Sequence, residues 1–148
     1  MFRKLLETLP FVHHQPPISI PLRKLILLAI QRPVNIKQME KLIEQKLEKD
    51  KEQTISGLEN GIAYLRKERF FKKDSSNLFV AGLRAICSHN LELGIEFGEK
   101  YIHEMPDMRA IKSMITYYGR AQKYDETLQL LNHVKNKNYA SEVREKTL

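Results

Sequence analysis

Apolar residues recur every three or four positions along most of this chain, and the strict alternation typical of a half-buried strand is absent. This period is typical of amphipathic helices. It is clearest in the last third, where apolar stripes run through residues 108–119 and 124–134. Because only residues 120–123 separate the stripes, we expect two antiparallel helices joined by a tight turn. The pattern therefore predicts an all-α protein.

The same period predicts about seven or eight helices in the whole chain, at the lengths that are common in bundles and repeats. One short helix is expected at residues 2–8, and prolines make residues 11–21 extended. Asn35 and Gln38 form a capping-box-like pair, and residues 75–77 (Ser-Ser-Asn) are expected to cap a later helix. The remaining helices ahead of the last hairpin are predicted at residues 22–31, 36–47, 54–69, 78–88 and 91–101.

A period of 33 residues underlies this pattern. Residues 58–67 (LENGIAYLRK) and 91–100 (LELGIEFGEK) read as the same helix twice, and the segment from Tyr124 falls at the same period. Gly94 takes a small position and Pro106 a closing position. The spacing resembles the tetratricopeptide repeat, a helix–turn–helix unit of about 34 residues. In the last unit the resemblance rests on Ile111, Met114, Ile115, Tyr118, Tyr124, Thr127, Leu131 and Val134.

The chain departs from this family at Ile115 and Gln122, where the family favours glycine. The resemblance implies antiparallel helical hairpins stacked as a short array, with N-terminal helices packed across it. We expect one helical domain, residues 1–148. Its units are N-terminal helices with a proline-rich segment at 1–34, a degenerate hairpin at 35–74, repeats at 75–107 and 108–141, and the start of a capping helix at 142–148.

Composition and charge narrow the class of protein. An apolar content of 42% is ordinary for a globular domain, and no apolar run approaches the roughly 20 residues that cross a bilayer. The net charge of +7 is concentrated in residues 1–74, which hold 15 Lys and Arg against 9 acids. The single cysteine, Cys87, fits a reducing compartment, and the first residues do not read as a secretory signal. We therefore expect a cytoplasmic protein.

The sequence carries no motif for catalysis or for a cofactor. A Gly-rich phosphate loop, G-x-S-x-G and H-E-x-x-H are all missing. His13 and His14 are adjacent and do not share a helix face, so a solvated loop is a better interpretation than a metal site. We expect no catalytic residue, no cofactor and no metal, and a chain that is not an enzyme by itself.

The helix predicted at residues 78–88 is apolar on all sides, and Arg84 is its one clearly polar residue. Such a helix is buried all round. In a repeat array, Phe79 and Leu83 would face a groove, so they are partner-binding candidates unless the N-terminal helix covers them. Cover by the same chain is the simpler interpretation, since monomers rarely expose large apolar patches. Cys87 is expected to be a packed core thiol.

By resemblance, the groove side of the last unit carries further partner-binding candidates, which are Arg109, Lys112, Thr116 and Arg120. They recur at near-helical spacing and would project together. Arginine binds a carboxylate through two parallel hydrogen bonds. The implied ligand is therefore a peptide carboxylate or an acidic side chain; a solvated charged face is the alternative.

A basic patch flanks two aromatic residues, Phe70 and Phe71. One interpretation is a phosphate-binding surface with stacking rings. The other, which we favour, is a helix C-terminus where cations complement the dipole and both phenylalanines anchor the loop in the core. The patch consists of Arg66, Lys67, Arg69, Lys72 and Lys73.

Three functions stay open at this point. The first is a non-enzymatic interaction or self-association module that binds a peptide, a protein or another copy of itself through the groove. The second is an accessory domain of a larger cytoplasmic enzyme, such as a transferase of surface-polymer biosynthesis. The third is nucleic-acid binding through the basic N-terminal half.

Overall fold

The computed structural model describes residues 20–135, and within this range it contains seven packed α-helices and no strand. The all-α prediction is confirmed for these residues. The predicted helix at 2–8, residues 11–19 of the segment predicted to be extended, and residues 136–148 lie outside the described range. Residues 20 and 21 belong to the first helix, so the extended prediction is wrong for them. In chain order the helices are α1 Ile20–Ile30, α2 Ile36–Lys49, α3 Lys51–Lys67, α4 Ser75–His89, α5 Leu91–Tyr101, α6 Met108–Arg120 and α7 Tyr124–Lys135, and a 3₁₀ turn, Lys72–Asp74, leads into α4.

Side-chain caps determine where several helices begin. Asn35 accepts a hydrogen bond from the backbone N–H of Gln38 at 3.0 Å, which confirms the cap predicted for α2. Asp50 caps α3 and Asn90 caps α5 in the same way, each as the single residue between two helices. Asp107 accepts from a backbone N–H at the start of α6. Each bond satisfies an N–H group that has no partner within its helix.

The cap predicted for α4 is wrong. Residues 75–77 lie inside the helix, and the residue before it, Asp74, makes no side-chain cap bond. Instead, Asp74 Oδ1 accepts from Arg32 Nη2 at 2.6 Å, and Asn77 Nδ2 donates to the carbonyl oxygen of Ala29 at 2.9 Å. Of the residues predicted as the cap, Asn77 thus forms a tertiary bond to α1, and Ser75 Oγ donates locally to the carbonyl oxygen of Lys72 at 2.6 Å.

Helix α4 is the centre of the fold. It contacts α1, α2, α3, α5 and α6. The ring of Phe79 lies 5.9 Å from that of Phe97 and 5.6 Å from that of Tyr101, between centroids, which places an aromatic cluster between α4 and α5. The prediction of a buried helix is confirmed for its apolar residues, while Arg84 is partly exposed. Its fully buried apolar residues are Leu78, Phe79, Val80, Ala81, Leu83, Ala85 and Ile86.

The approach of α5 to α4 depends on a glycine. A Cβ built at Gly94 would lie 2.6 Å from the Cα of Cys87, closer than real Cβ atoms come to other heavy atoms. The two helices can pack this tightly because position 94 has no side chain. Any larger residue at position 94 would force the backbones of α4 and α5 apart.

Helix α7 is covered on one side only. It lies against α6, and Leu130 is its one buried residue. The side chains of Tyr124, Leu128 and Leu131 are 64%, 59% and 39% exposed. Most of the apolar stripe predicted for this helix therefore faces outward, because α6 covers the opposite side.

Candidate functional site

Polar side chains from three helices converge on one face of the molecule. α4 contacts both α2 and α6, so these three helices present a continuous surface, which we call the α2–α4–α6 face. It carries Glu40 on α2, Arg84 on α4, and Ser113, Tyr117 and Arg120 on α6. Burial raises the pKa of the Tyr117 phenol, the nearby thiol and Glu40 raise it further, and Arg84 and Arg120 lower it. Cys87, Glu40, Arg84 and Arg120 thus all lie close enough to Tyr117 to affect its ionisation.

Arg84 bridges the two central helices of this face. Its Nε donates to Ser113 Oγ at 3.1 Å, and that hydroxyl donates to the carbonyl oxygen of Arg109 at 2.9 Å. The partly buried guanidinium is thereby held toward α6. It forms no ion pair with any of residues 20–135, so its charge is available to a ligand.

Arg120 adds a second cation to the face. Its guanidinium carbon lies 5.6 Å from the centroid of the Tyr117 ring, which is a cation–π distance. Arg120 is exposed and has no ion-pair partner in the described part of the chain. A half-buried tyrosine therefore has unpaired arginines on α4 and α6 beside it.

Helix α2 brings a partly buried carboxyl group, that of Glu40, to the face. Partial burial raises the pKa of the Glu40 carboxyl; Arg84 opposes this, Glu44 adds to it, and Lys37 opposes it. A ligand that lies across all three helices would meet the Glu40 carboxylate on α2 and guanidinium groups on α4 and α6. Such an asymmetric field favours one orientation of a charged ligand over its reverse.

One predicted binding residue, Arg109, is occupied by bonds within the chain. Its Nε and Nη2 donate to the two carboxylate oxygens of Asp107 at 3.0 and 2.8 Å, and Nη2 also donates to Asn77 Oδ1 at 2.8 Å. Burial alone would raise the pKa of Asp107, but the hydrogen bonds and charge of Arg109 hold it below its ordinary value. Through Asn77 and its bond to Ala29, this network ties α6 to α4 and α1.

The other predicted groove residues are divided between surface and core. Lys112 and Thr116 are exposed, and the Thr116 hydroxyl donates to the carbonyl oxygen of Lys112 at 3.1 Å. Phe79 and Leu83 are fully buried. They lie in the core and not on a surface that a partner could contact, in agreement with the interpretation that the same chain covers them.

The predicted basic patch lies at the end of α3 and in the turn that follows. Arg66 pairs with Glu104 at 2.8 Å. Phe71 packs against the core, but Phe70 is 88% exposed, so the expectation that both rings anchor the loop is wrong for Phe70. The exposed cations beside Phe70 are Lys67, Arg69, Lys72 and Lys73.

The remaining candidates for chemistry give no second site. Cys87 is buried, as predicted, and burial raises the pKa of its thiol to about 12. Among residues 20–135 no group of three or more His, Cys, Asp or Glu is arranged to hold a metal ion. His13 and His14 lie outside that range. None of the described helices is long and apolar enough to cross a membrane.

Of the residues on this face, the sequence predicts Arg120 as a binding residue but not its neighbours Arg84, Tyr117 and Glu40. A signal for Arg84 was present, because it is the one charged residue in an otherwise apolar helix. Nothing in the sequence pairs Glu40 with Tyr117, which lie 77 residues apart on helices that meet through a third.

Comparison of the chain with protein-family models, with curated proteins and with solved structures gave no match, so similarity assigns it neither a family nor a function.

Proposed function

We propose that this protein is a non-enzymatic interaction module that binds the acidic part of a partner peptide on the α2–α4–α6 face. In this proposal the helices from α2 to α7 act as three hairpins, α2/α3, α4/α5 and α6/α7, stacked as a short tetratricopeptide-like array. Three neighbour relations support the arrangement: the two helices of each hairpin contact each other, α4 contacts α2, and α4 contacts α6.

One observation carries the proposed function. Two guanidinium groups, from Arg84 and Arg120, lie on the same face beside Tyr117 and have no ion-pair partner among the described residues. Guanidinium is the side-chain group best suited to a carboxylate, because it donates two parallel hydrogen bonds. The tyrosine ring adds apolar contact area at a small cost in conformational entropy. Together they form a binding surface for an acidic side chain or a C-terminal carboxylate.

The test uses peptides selected on the protein from a random library displayed with free C-termini. We expect the selected peptides to be acidic. Their affinity, measured by fluorescence polarisation, should fall about tenfold or more for Arg84→Gln and for Arg120→Gln, because each change removes about 1.4 kcal/mol or more of charge-assisted hydrogen bonding. Arg69→Gln, the same change on another surface, is the matched control.

Lys112→Gln discriminates between two possible binding surfaces, the stripe of α6 predicted from the sequence and the α2–α4–α6 face. It lies on the stripe that the sequence predicted and is not among the residues around Tyr117. Loss of binding in Lys112→Gln with normal binding in Arg84→Gln would contradict the α2–α4–α6 face. Circular dichroism confirms that each variant is folded, and Arg120→Gln, an exposed position, keeps the test decisive if Arg84→Gln destabilises the fold.

A second function, nucleic-acid binding, is favoured by the exposure of Phe70. This ring is 88% exposed among Lys67, Arg69 and other cations. Exposed aromatic rings within a basic surface stack on the bases of single strands, and one stacked base contributes about 1–3 kcal/mol. We expect Phe70→Ala to weaken binding to an oligothymidine by about 5- to 100-fold at low salt if this surface is used. Equal affinity for Phe70→Ala and the unchanged protein would exclude it.

A further inference from the structure

One aromatic side chain protrudes from the turn between α3 and α4. Phe70 is 88% exposed, the largest exposed fraction of any large apolar residue in the described range. The other large apolar residues that are exposed lie on α6 and α7. The turn therefore presents a single ring to the solvent, away from the exposed apolar stripe of α7.

Bonds on both sides of Phe70 fix this turn. The backbone N–H of Phe71 donates to the carbonyl oxygen of Glu68 at 3.2 Å, and that of Asp74 donates to the carbonyl oxygen of Phe71 at 3.0 Å. The Phe71 ring packs against the core, and the Asp74 carboxylate accepts from Arg32. Because Phe70 lies between these fixed points, the path of the backbone holds its ring outward. The ring leaves water only if another molecule covers it.

Cations flank this ring in the chain. All of them are exposed, and none forms an ion pair with a residue in the described range. They are Lys67, Arg69, Lys72 and Lys73. We call residues 67–73 the Phe70 turn. Its four cations less the carboxylate of Glu68 leave a net charge of +3.

A single protruding ring flanked by cations fits a lipid bilayer better than a nucleic-acid strand. Sites for single strands combine a basic groove with several rings on which successive bases stack, whereas the Phe70 turn has one exposed ring. A bilayer requires no groove, because aromatic side chains insert at its interface. Each lysine or arginine near an anionic leaflet strengthens binding by about 1 kcal/mol, which is about fivefold.

We infer that the Phe70 turn docks on an anionic lipid bilayer. The Phe70 ring inserts among the headgroups, where it leaves water, and the four cations contact anionic headgroups. The turn shares no residue with the α2–α4–α6 face, so this inference is independent of the proposed peptide binding. An oligothymidine is the alternative ligand of the same turn, and the experiments distinguish the two.

Co-sedimentation measures binding to vesicles of equimolar phosphatidylcholine and phosphatidylserine, and to vesicles of phosphatidylcholine alone. We expect binding to the anionic vesicles only. Phe70→Ala should weaken it about tenfold, because the inserted ring is lost. Lys67→Gln should weaken it about fivefold, because one charge is lost. Absence of binding to the anionic vesicles would overturn the inference.

Lys51→Gln is the matched control for Lys67→Gln. The two lysines are the first and last residues of α3, and both are exposed. They lie roughly 24 Å apart along the helix axis, which exceeds the distance of about 10 Å over which salt screens exposed charges. Lys51→Gln should therefore leave vesicle binding nearly unchanged. Equal weakening by both variants would show an effect of net charge alone and would contradict docking through the turn.

Phe70→Trp reports insertion directly, because the chain contains no tryptophan. Its fluorescence emission should shift to shorter wavelength on addition of anionic vesicles, and brominated lipids should quench it. Leu128→Trp, at an exposed position on α7, is the control and should show neither change. Vesicle binding without a change in Phe70→Trp emission would place the contact elsewhere and refute the inference. A response of Phe70→Trp to an oligothymidine, with none to anionic vesicles, would assign the turn to nucleic acid instead.

Discussion

Helices α4 and α7 have similar apolar patterns and opposite surroundings. On α4, Leu83 is fully buried, and five of the described helices contact α4. On α7, Leu128 is 59% exposed, because it lies on the side of the helix that faces away from α6. The difference shows that an apolar stripe indicates which residues are suited to burial. The position of the helix in the fold decides which of these residues are buried. An exposed stripe is also surface that another molecule can cover.

The largest expected effect comes from one substitution made on both helices. Leu83→Ala should lower the free energy of unfolding by about 2–5 kcal/mol, because it removes buried methyl groups and leaves a cavity at the centre of the fold. Leu128→Ala should change it by less than about 0.5 kcal/mol, as surface substitutions usually do. Urea denaturation followed by circular dichroism measures both.

The same two leucine variants can also contradict the conclusion that α4 is buried and α7 is exposed. A loss of 2 kcal/mol or more in Leu128→Ala would mean that the exposed side of α7 is covered in solution. Repeating the measurement at several protein concentrations then shows whether the same chain or a second copy covers α7, because only association makes stability depend on concentration.

An intermediate effect is expected where α6 is tied to α4. The pKa of Asp107 is below its ordinary value because Arg109 bonds and pairs with it. A carboxyl whose pKa is lower in the folded state stabilises the protein above the unfolded pKa of about 3.9 and loses this contribution as the pH falls through the folded value. For this reason we expect the urea concentration at the unfolding midpoint to fall when the pH is below about 4.

Asp107→Asn isolates the charge from the cap. Asparagine still accepts the backbone N–H at the start of α6, so the variant loses mainly the ion pair, which we expect to cost about 1–2 kcal/mol at pH 7. Its stability should depend less on pH between 7 and 3 than that of the unchanged protein. Identical pH profiles would show that other carboxyl groups dominate the acid sensitivity.

The smallest effect is expected at the turn between α6 and α7. Gln122 has a φ of 59°, in the left-handed region where a side chain costs about 1–2 kcal/mol. Glycine removes this cost but adds conformational freedom to the unfolded chain, so Gln122→Gly should stabilise the protein by about 0.5 kcal/mol. Gln129→Gly, inside α7, should destabilise it by about 1 kcal/mol and serves as the control. A loss of stability in Gln122→Gly would contradict the left-handed conformation.

Only part of the candidate site can be predicted from the sequence. Arg120 was predicted because helical spacing is a local property. The partners of Arg109 were not predicted, since its bond to Asn77 joins residues 32 positions apart. Arg84 is the lone charge of its helix in the sequence. Its neighbours on the face belong to helices α2 and α6, and the sequence of one helix does not determine which other helices pack beside it.

The sequence by itself determined the helices, the cap at Asn35 and the burial of α4, because backbone period, local hydrogen bonds and an apolar circumference are properties of short segments. Only the tertiary structure decided that residues 75–77 lie inside α4, that Phe70 points outward, and that Glu40, Arg84, Tyr117 and Arg120 meet on one face. The physical reason is that a side chain with several suitable partners forms its contacts with those that lie close to it in the fold. Proximity between distant segments is set by how the helices pack.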